Sequence, residues 1–213
     1  MSRPTEVAYQ FIRQKIMEGT FKPSQKLVES ELAEIIGVSR NTIKKALLKL
    51  EQENLVSLEE NKGATIKSFS LEEIINYLEI REILEGLIAK TAATNISDSN
   101  LIQLEETVEK MKDHLDNNRF DEYSKCNHIF HNIIYEASTN AQAVEMVQKI
   151  KNQLQRLQLK TILVPGRNQD SLKEHEKILN ALKAKDGQWS EDAVKFHVSK
   201  VRKTIVENYS FLV

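Results

Sequence analysis

The segment Leu27–Leu50, LVESELAEIIGVSRNTIKKALLKL, restricts the fold of this chain more than any other. Leu32, Ala33, Ile35 and Ile36 mark the apolar face of a short helix. Gly37 stands where that helix must stop, because glycine takes up left-handed backbone without a steric penalty. Val38 is placed to plug the turn, and Ser39 suits the N-cap of a second helix. On that helix Ile43, Ala46, Leu47 and Leu50 recur at helical spacing and form one buried stripe. Arg40, Lys44, Lys45 and Lys49 fall between Gly37 and Leu50, with no acid among them. Two short helices, a tight turn and a basic second helix make a helix-turn-helix pattern, and the expected partner is duplex DNA.

The flanks complete a domain. A helix from about Pro4 to Glu18 carries Val7, Ala8, Phe11, Ile12 and Ile16 on one face, and Gly19 ends it. Phe21-Lys22-Pro23 reads as a loop. After the motif, Leu55–Leu58 and Ala64–Lys67 read as two strands around the turn 59–63, a hairpin placed as a wing. Residues 1–68 are therefore expected to be a winged-helix DNA-binding domain. From Ser70 the periodicity is helical to the end, with helices near 70–95, 97–117, 119–138, 140–162, 169–185 and 190–210. Ser70-Leu71-Glu72-Glu73 has the form of a capping box, and Ser97, Asn140, Ser171 and Ser190 are the expected later caps. Pro165-Gly166 breaks the chain, and Trp189 is expected to anchor the last helix. The predicted fold is mainly α: an N-terminal winged helix-turn-helix, then an antiparallel six-helix bundle over 69–213 for effector binding and dimerisation.

Only six glycines and three prolines in 213 residues fit helices with short connections. Up to Ser68 there are 11 Lys and Arg against 9 Asp and Glu, a net of +2, and the rest of the chain carries −3. DNA attraction must come from a local patch rather than global charge. The single Cys126 excludes an intrachain disulfide and fits a reducing compartment. With no apolar run of membrane-spanning length and no apolar leader, a cytoplasmic protein without membrane contact is expected.

Arg40, in the first turn of the second helix, is the first choice for reading a base, since guanidinium pairs bidentately with guanine. Ser39 and Asn41 can donate to phosphate from the helix N-terminus, and Thr42 and Lys44 lie on the same approach. Lys45 and Lys49 add positive charge, and Lys62-Gly63 at the wing tip can reach the backbone or minor groove. In the second domain, Asn127 and His131 share a helix face, and His175 and His197 lie on two later helices among apolar neighbours. Histidines on facing helices of a bundle can converge on one metal ion or serve as hydrogen-bonded core residues; the spacing alone does not choose.

These residues resemble the GntR superfamily of bacterial transcription regulators, in particular the FadR subfamily with an FCD-type helical effector domain. In the first domain the resemblance rests on Leu32-Ala33, Gly37-Val38-Ser39-Arg40, Ala46-Leu47 with Leu50, Leu55-Val56 and Gly63. In the second it rests on Ile80-Arg81, Leu84-Glu85, Phe130-His131, Glu174-His175 and His197. Six helices after the wing look like the shorter, VanR-type branch. The resemblance implies DNA contacts at Ser39, Arg40, Lys44 and Gly63, and a divalent metal held by Asn127, His131, His175 and His197. Thr42 stands where the family often has Pro, Lys44 and Lys62 where it often has Arg, and Asn127 where it often has Asp. Lysine does not reproduce the bidentate fork of arginine, so the operator sequence is left open. A neutral Asn127 leaves the ion with more net charge and a stronger pull on an anion.

Imidazole-rich ligation suits zinc best, with nickel or manganese as alternatives. A small carboxylate completing the coordination is the expected effector. Arg81 is its candidate second anchor, or else the i,i+4 partner of Glu85, and Tyr135 and Asn140 are candidate pocket residues. The expected protein is a homodimeric, ligand-responsive repressor on a palindromic operator. One rival is a regulator in which the ion itself is the effector. Another is a metalloenzyme, but the chain has no His-Glu-x-x-His run, no phosphate loop and no dinucleotide-binding glycine pattern, so no enzyme is expected.

Overall fold

The computed structural model describes residues 3–59 and 63–212, without the side chains of 155–160 and 211. The chain divides into two compact units, Met1–Ser70 and Leu71–Val213.

The first unit contains α1 (Arg3–Met17), β1 (Lys26–Leu27), α2 (Glu29–Ile36), α3 (Arg40–Gln52), β2 (Val56–Glu59) and β3 (Gly63–Ile66). Ile43, Ala46, Leu47 and Leu50 of α3 are all fully buried, and they meet Ala8, Ile12 and Ile16 of α1 in one core. Gly37 ends α2 with φ of 73°, and its N–H donates to the carbonyl of Ala33. Two positions differ from the periodicity. Ile35 is 64% exposed, because the short α2 buries little beyond Leu32. Val7 is 52% exposed, and Tyr9 takes the inward position, its hydroxyl donating to Glu53 Oε1 at 2.7 Å.

The wing hairpin forms, with β2 and β3 antiparallel and Val56 opposite Ile66. Its predicted ends, Leu55 and Lys67, are joined just beyond the strands by a Lys67 N–H to Leu55 carbonyl bond of 3.0 Å. The unpredicted β1 adds a third strand, in the order β1-β3-β2. Two residues give no period to read, and β1 exists only because β3 offers it an edge. Gly63 has φ of 90°, and a side chain there would meet the Leu27 carbonyl at 3.5 Å.

The second unit contains α4 (Leu71–Asn95), α5 (Asp98–Asp116), α6 (Phe120–Ala137), α7 (Ala141–Thr161), α8 (Arg167–Lys183), α9 (Gly187–Glu207) and the single turn α10 (Tyr209–Leu212). α4 lies along α9, α5 along α6, and α8 fills the space beside α5 and α9. Phe130, Tyr123, Leu104, Met111 and Ile88 are the large side chains of this core. Ser97 and Asn140 cap α5 and α7 as expected, accepting from the Asn100 and Ala143 N–H groups. Ser171 and Ser190 do not cap. α8 begins at Arg167 after Gly166, and α9 begins at Gly187, where Asp186 accepts from the Trp189 N–H at 2.9 Å. Both serines lie buried inside their helices, because earlier residues already end the preceding turns. Trp189, expected as an anchor of the last helix, is 45% exposed. No helix among the described residues is long and apolar enough to cross a membrane.

Candidate DNA-reading surface and metal centre

The N-terminus of α3 is built by its own first turn. Ser39 Oγ accepts from the Thr42 N–H at 3.2 Å and lies 2.8 Å from Thr42 Oγ1. Both hydroxyls are thereby engaged in capping, which orients the turn and places Arg40 and Asn41 outward, exposed. Lys44 and Lys45 are exposed one turn later. Arg40, Lys44 and Gly63 line one open groove of about 580 Å³, joined by Lys26 of β1. Lys44 Nζ lies 3.9 Å from Glu29, an exposed and weak pairing that leaves it available to an anion. The Lys49 ammonium sits 3.5 Å from the Tyr9 ring centroid and 3.5 Å from Glu6, contacts that tie α3 to α1. Lys62 lies outside the described residues.

In the helical unit, His131 of α6, His175 of α8 and His197 of α9 come together. Their potential ligand nitrogens lie within 4.8 Å of one another, and the three rings are almost fully buried. Ring centroids are 4.6 Å apart for His175 and His197, and 5.4 Å from each of these to His131. Phe130 packs edge-on against His175 at 4.8 Å and closes one side.

The protein holds the outer ring nitrogens of His175 and His197 by hydrogen bonds. His175 Nδ1 lies 2.6 Å from the Ser171 carbonyl, which can only accept, so Nδ1 carries the proton and Nε2 the lone pair. That buried Nε2 has no hydrogen-bond partner. His197 Nδ1 donates in the same way to Glu174 Oε2 at 2.7 Å, and Arg167 donates to the same oxygen at 2.8 Å. His131 Nδ1 is 3.5 Å from Glu85 Oε2. Burial pushes all three imidazoles toward the neutral form, His175 and His197 down to about 3 and His131 well below its ordinary value. Three neutral imidazoles, two of them with the outer nitrogen fixed by a carbonyl or a carboxylate and one with an orphaned buried lone pair, fit a divalent metal. Asn127 lies one turn before His131 on the same face of α6, half-buried.

Beside the histidines lies a buried charged group. Arg81 pairs with Glu85 across one turn of α4, and both are buried rather than on the surface. Arg81 Nη1 and Glu85 Oε2 remain without hydrogen-bond partners. Burial opposes ionisation of Glu85, but Arg81 and Lys151 outweigh it and hold the carboxyl below its ordinary value. Tyr135 is buried, with its ring 6.1 Å from that of His131. The Asn140 side-chain oxygen is engaged in the expected cap of α7.

Sequence reasoning passed over Lys151 and Arg167. Lys151 sits on the inward stripe of α7 with Val147, Ile150 and Leu154, and a basic residue in an apolar stripe was the available signal. Arg167 carried a weaker signal: it follows a Pro-Gly break, and it meets Glu174 two turns further along the same helix α8.

Residues 76–200 match the FCD domain family, and residues 4–66 match the gntR family of bacterial regulatory proteins. The chain belongs to the GntR regulators with an FCD domain. It is a DNA-binding transcription regulator and not an enzyme. The HTH-type transcriptional repressor RspR of Escherichia coli (strain K12) is 22% identical over 197 residues, covering 92% of this chain and 86% of that protein. The HTH-type transcriptional regulator LutR of Bacillus subtilis (strain 168) is 27% identical over 211 residues, covering 87% and 94%. The solved structure of E. coli McbR/YncC has a TM-score of 0.78 at 21% identity, covering 98% of this chain and all of that one. At that identity the likeness concerns the fold.

Proposed function

We propose that this GntR regulator is a repressor whose FCD domain holds a divalent metal on Asn127, His131, His175 and His197 and responds to a small carboxylate. The observation that carries the reading is the orphaned, buried Nε2 of His175 among three neutral imidazoles. Three nitrogen ligands and one neutral oxygen suit zinc, with nickel next and manganese least favoured. When bound, the metal supplies a Lewis-acidic position for a ligand carboxylate. The chain's own part is to hold the imidazoles through Ser171 and Glu174 and to offer the free Nη1 of Arg81 as a second donor. The curated relative RspR is named a repressor, which supports that direction of control.

DNA binding rests on Arg40, Asn41, Lys44 and Lys45 of α3 with Gly63 of the wing, and Lys62 is proposed with them. A homodimer on a palindromic operator is the natural arrangement, since protein two-fold symmetry matches paired half-sites. The effector lowers operator affinity to the extent that it prefers the arrangement unable to bind DNA.

The test uses untagged full-length protein. Metal analysis should give bound divalent ion, lost in His175→Ala. A titration of operator DNA with small carboxylates should then show weakened binding of the metal-loaded protein only. Absence of bound metal at any loading removes the metal reading. DNA affinity that follows metal content without any organic ligand makes the ion itself the effector.

A further inference from the structure

Lys151 is a buried cation that the reading above does not use. It projects from α7, on the side of the Arg81–Glu85 pair and the histidines. Its Nζ donates to the Tyr135 hydroxyl at 3.2 Å and lies 4.9 Å from the Tyr135 ring centroid. The residue is only 9% exposed, in a unit that has ample surface for a lysine head. A lysine usually lays its stem on apolar surface and keeps the ammonium in water. Here the head is taken inside, to a hydroxyl, which is a weak partner for a full charge.

The charge balance gives this placement meaning. Arg81 and Lys151 are two buried cations, and Glu85 is the buried anion that faces both. Arg81 Nη1 has no partner, so the guanidinium is only half used by Glu85. The neighbouring Arg167–Glu174 pair is neutral in sum and contributes no spare anion. A divalent ion on the neutral histidines adds two further positive charges. Buried charge without a counter-charge is costly, and the cost is removed when an anion arrives. One carboxylate would be shared between the metal and Arg81, leaving Lys151 unmatched.

We infer that Lys151 is a specificity-determining residue for the effector, binding a second carboxylate so that the site selects small dicarboxylates over monocarboxylates. This rests on the metal and carboxylate reading of the same site. Tyr135 positions the ammonium, and its ring supplies a face that holds the cation while no ligand is present. Burial lowers the Lys151 ammonium from its ordinary value to about 8, and Glu85 opposes that fall.

The experiment uses full-length, zinc-loaded protein in calorimetric titrations. The probes are malonate, succinate and glutarate, each against its monocarboxylate counterpart, propionate, butyrate and valerate. In the wild type, the best dicarboxylate should bind at least about tenfold more tightly than its counterpart, as expected for one added buried charge pair. In Lys151→Met that preference should vanish, with the monocarboxylate affinity kept. In Lys151→Arg, which restores the charge, the preference should return. Zinc stoichiometry and operator affinity measured on each variant report that it is folded.

Equal binding of both ligand classes by the wild type overturns the inference and leaves the carboxylate reading standing. So does a preference that survives in Lys151→Met. Failure of every carboxylate to bind the loaded wild type overturns both.

Discussion

At the scale of single residues, Arg40 and Lys45 should behave differently although both are exposed cations of α3. Arg40 stands in the first turn beside the groove, where a guanidinium can read a base edge. Arg40→Ala should cost about 1–3 kcal/mol on the operator and relax discrimination at one base position, measured by binding to an operator variant series. Lys45→Ala should weaken all sequences alike and reduce the salt slope by about one, measured by titration at several salt concentrations. The histidines make a second residue-level prediction. Unfolded imidazoles take up protons near pH 6.5, whereas buried His175 and His197 resist protonation down to about 3. Between those values the unfolded chain binds more protons, so the metal-free protein should lose stability as pH falls from about 6.5 toward 3. Chemical denaturation in chelator across that range checks the sign, and a flat profile would contradict it.

At the scale of elements, α3 is held at both ends by contacts that are not DNA contacts. Ser39 caps it, and Ser39→Ala should lower stability by about 1 kcal/mol. It should also weaken operator binding, because the first turn carries Arg40. Lys49 near the other end binds the face of Tyr9 in α1. Lys49→Ala should therefore lower stability, by about 1 kcal/mol or less from the lost cation–π contact. Operator affinity should stay close to wild type. Paired denaturation and DNA titrations separate the two roles, and a large loss of DNA affinity with unchanged stability would return Lys49 to the reading surface. Thr42 is legible in the same way: its hydroxyl closes the cap with Ser39, a local role within the first turn.

At the scale of the whole molecule, each of the two compact units has its own core. Metal binding should therefore stabilise one and not the other. At a free metal concentration about 100 times Kd, the gain is about 2.7 kcal/mol. Hydrogen exchange should slow at amides of α6, α8 and α9 on loading with zinc and stay unchanged at amides of α3. Equal slowing in both units would place the bound ion elsewhere.

The sequence by itself determined the winged helix and the helical unit, because local rules govern them. Gly37 and Ser39 fix a turn, a four-residue stripe fixes the buried side of α3, and long helical periods need no partner to be recognised. At β1, Ile35, Ser171 and Ser190 these rules failed because a short element or an earlier cap competes, and at Val7 and Trp189 packing chose which apolar side chain turns inward. The three histidines were legible as candidates, but their meeting was not: a residue's helix face follows from spacing, whereas the distance between faces follows from packing. Only the tertiary structure decided that Nδ1 of His175 is spent on Ser171 and that Glu174 serves both His197 and Arg167. It also turned the Arg81–Glu85 spacing, ambiguous in one dimension, into a buried pair, and set Lys151 beside it. The helix-turn-helix could be read from residues 27–50 because its chemistry is contiguous in the chain. The candidate metal centre could not be read from spacing, because its histidines stand about 20 to 65 residues apart on helices whose crossing is set by apolar packing that carries no chemical signature of its own.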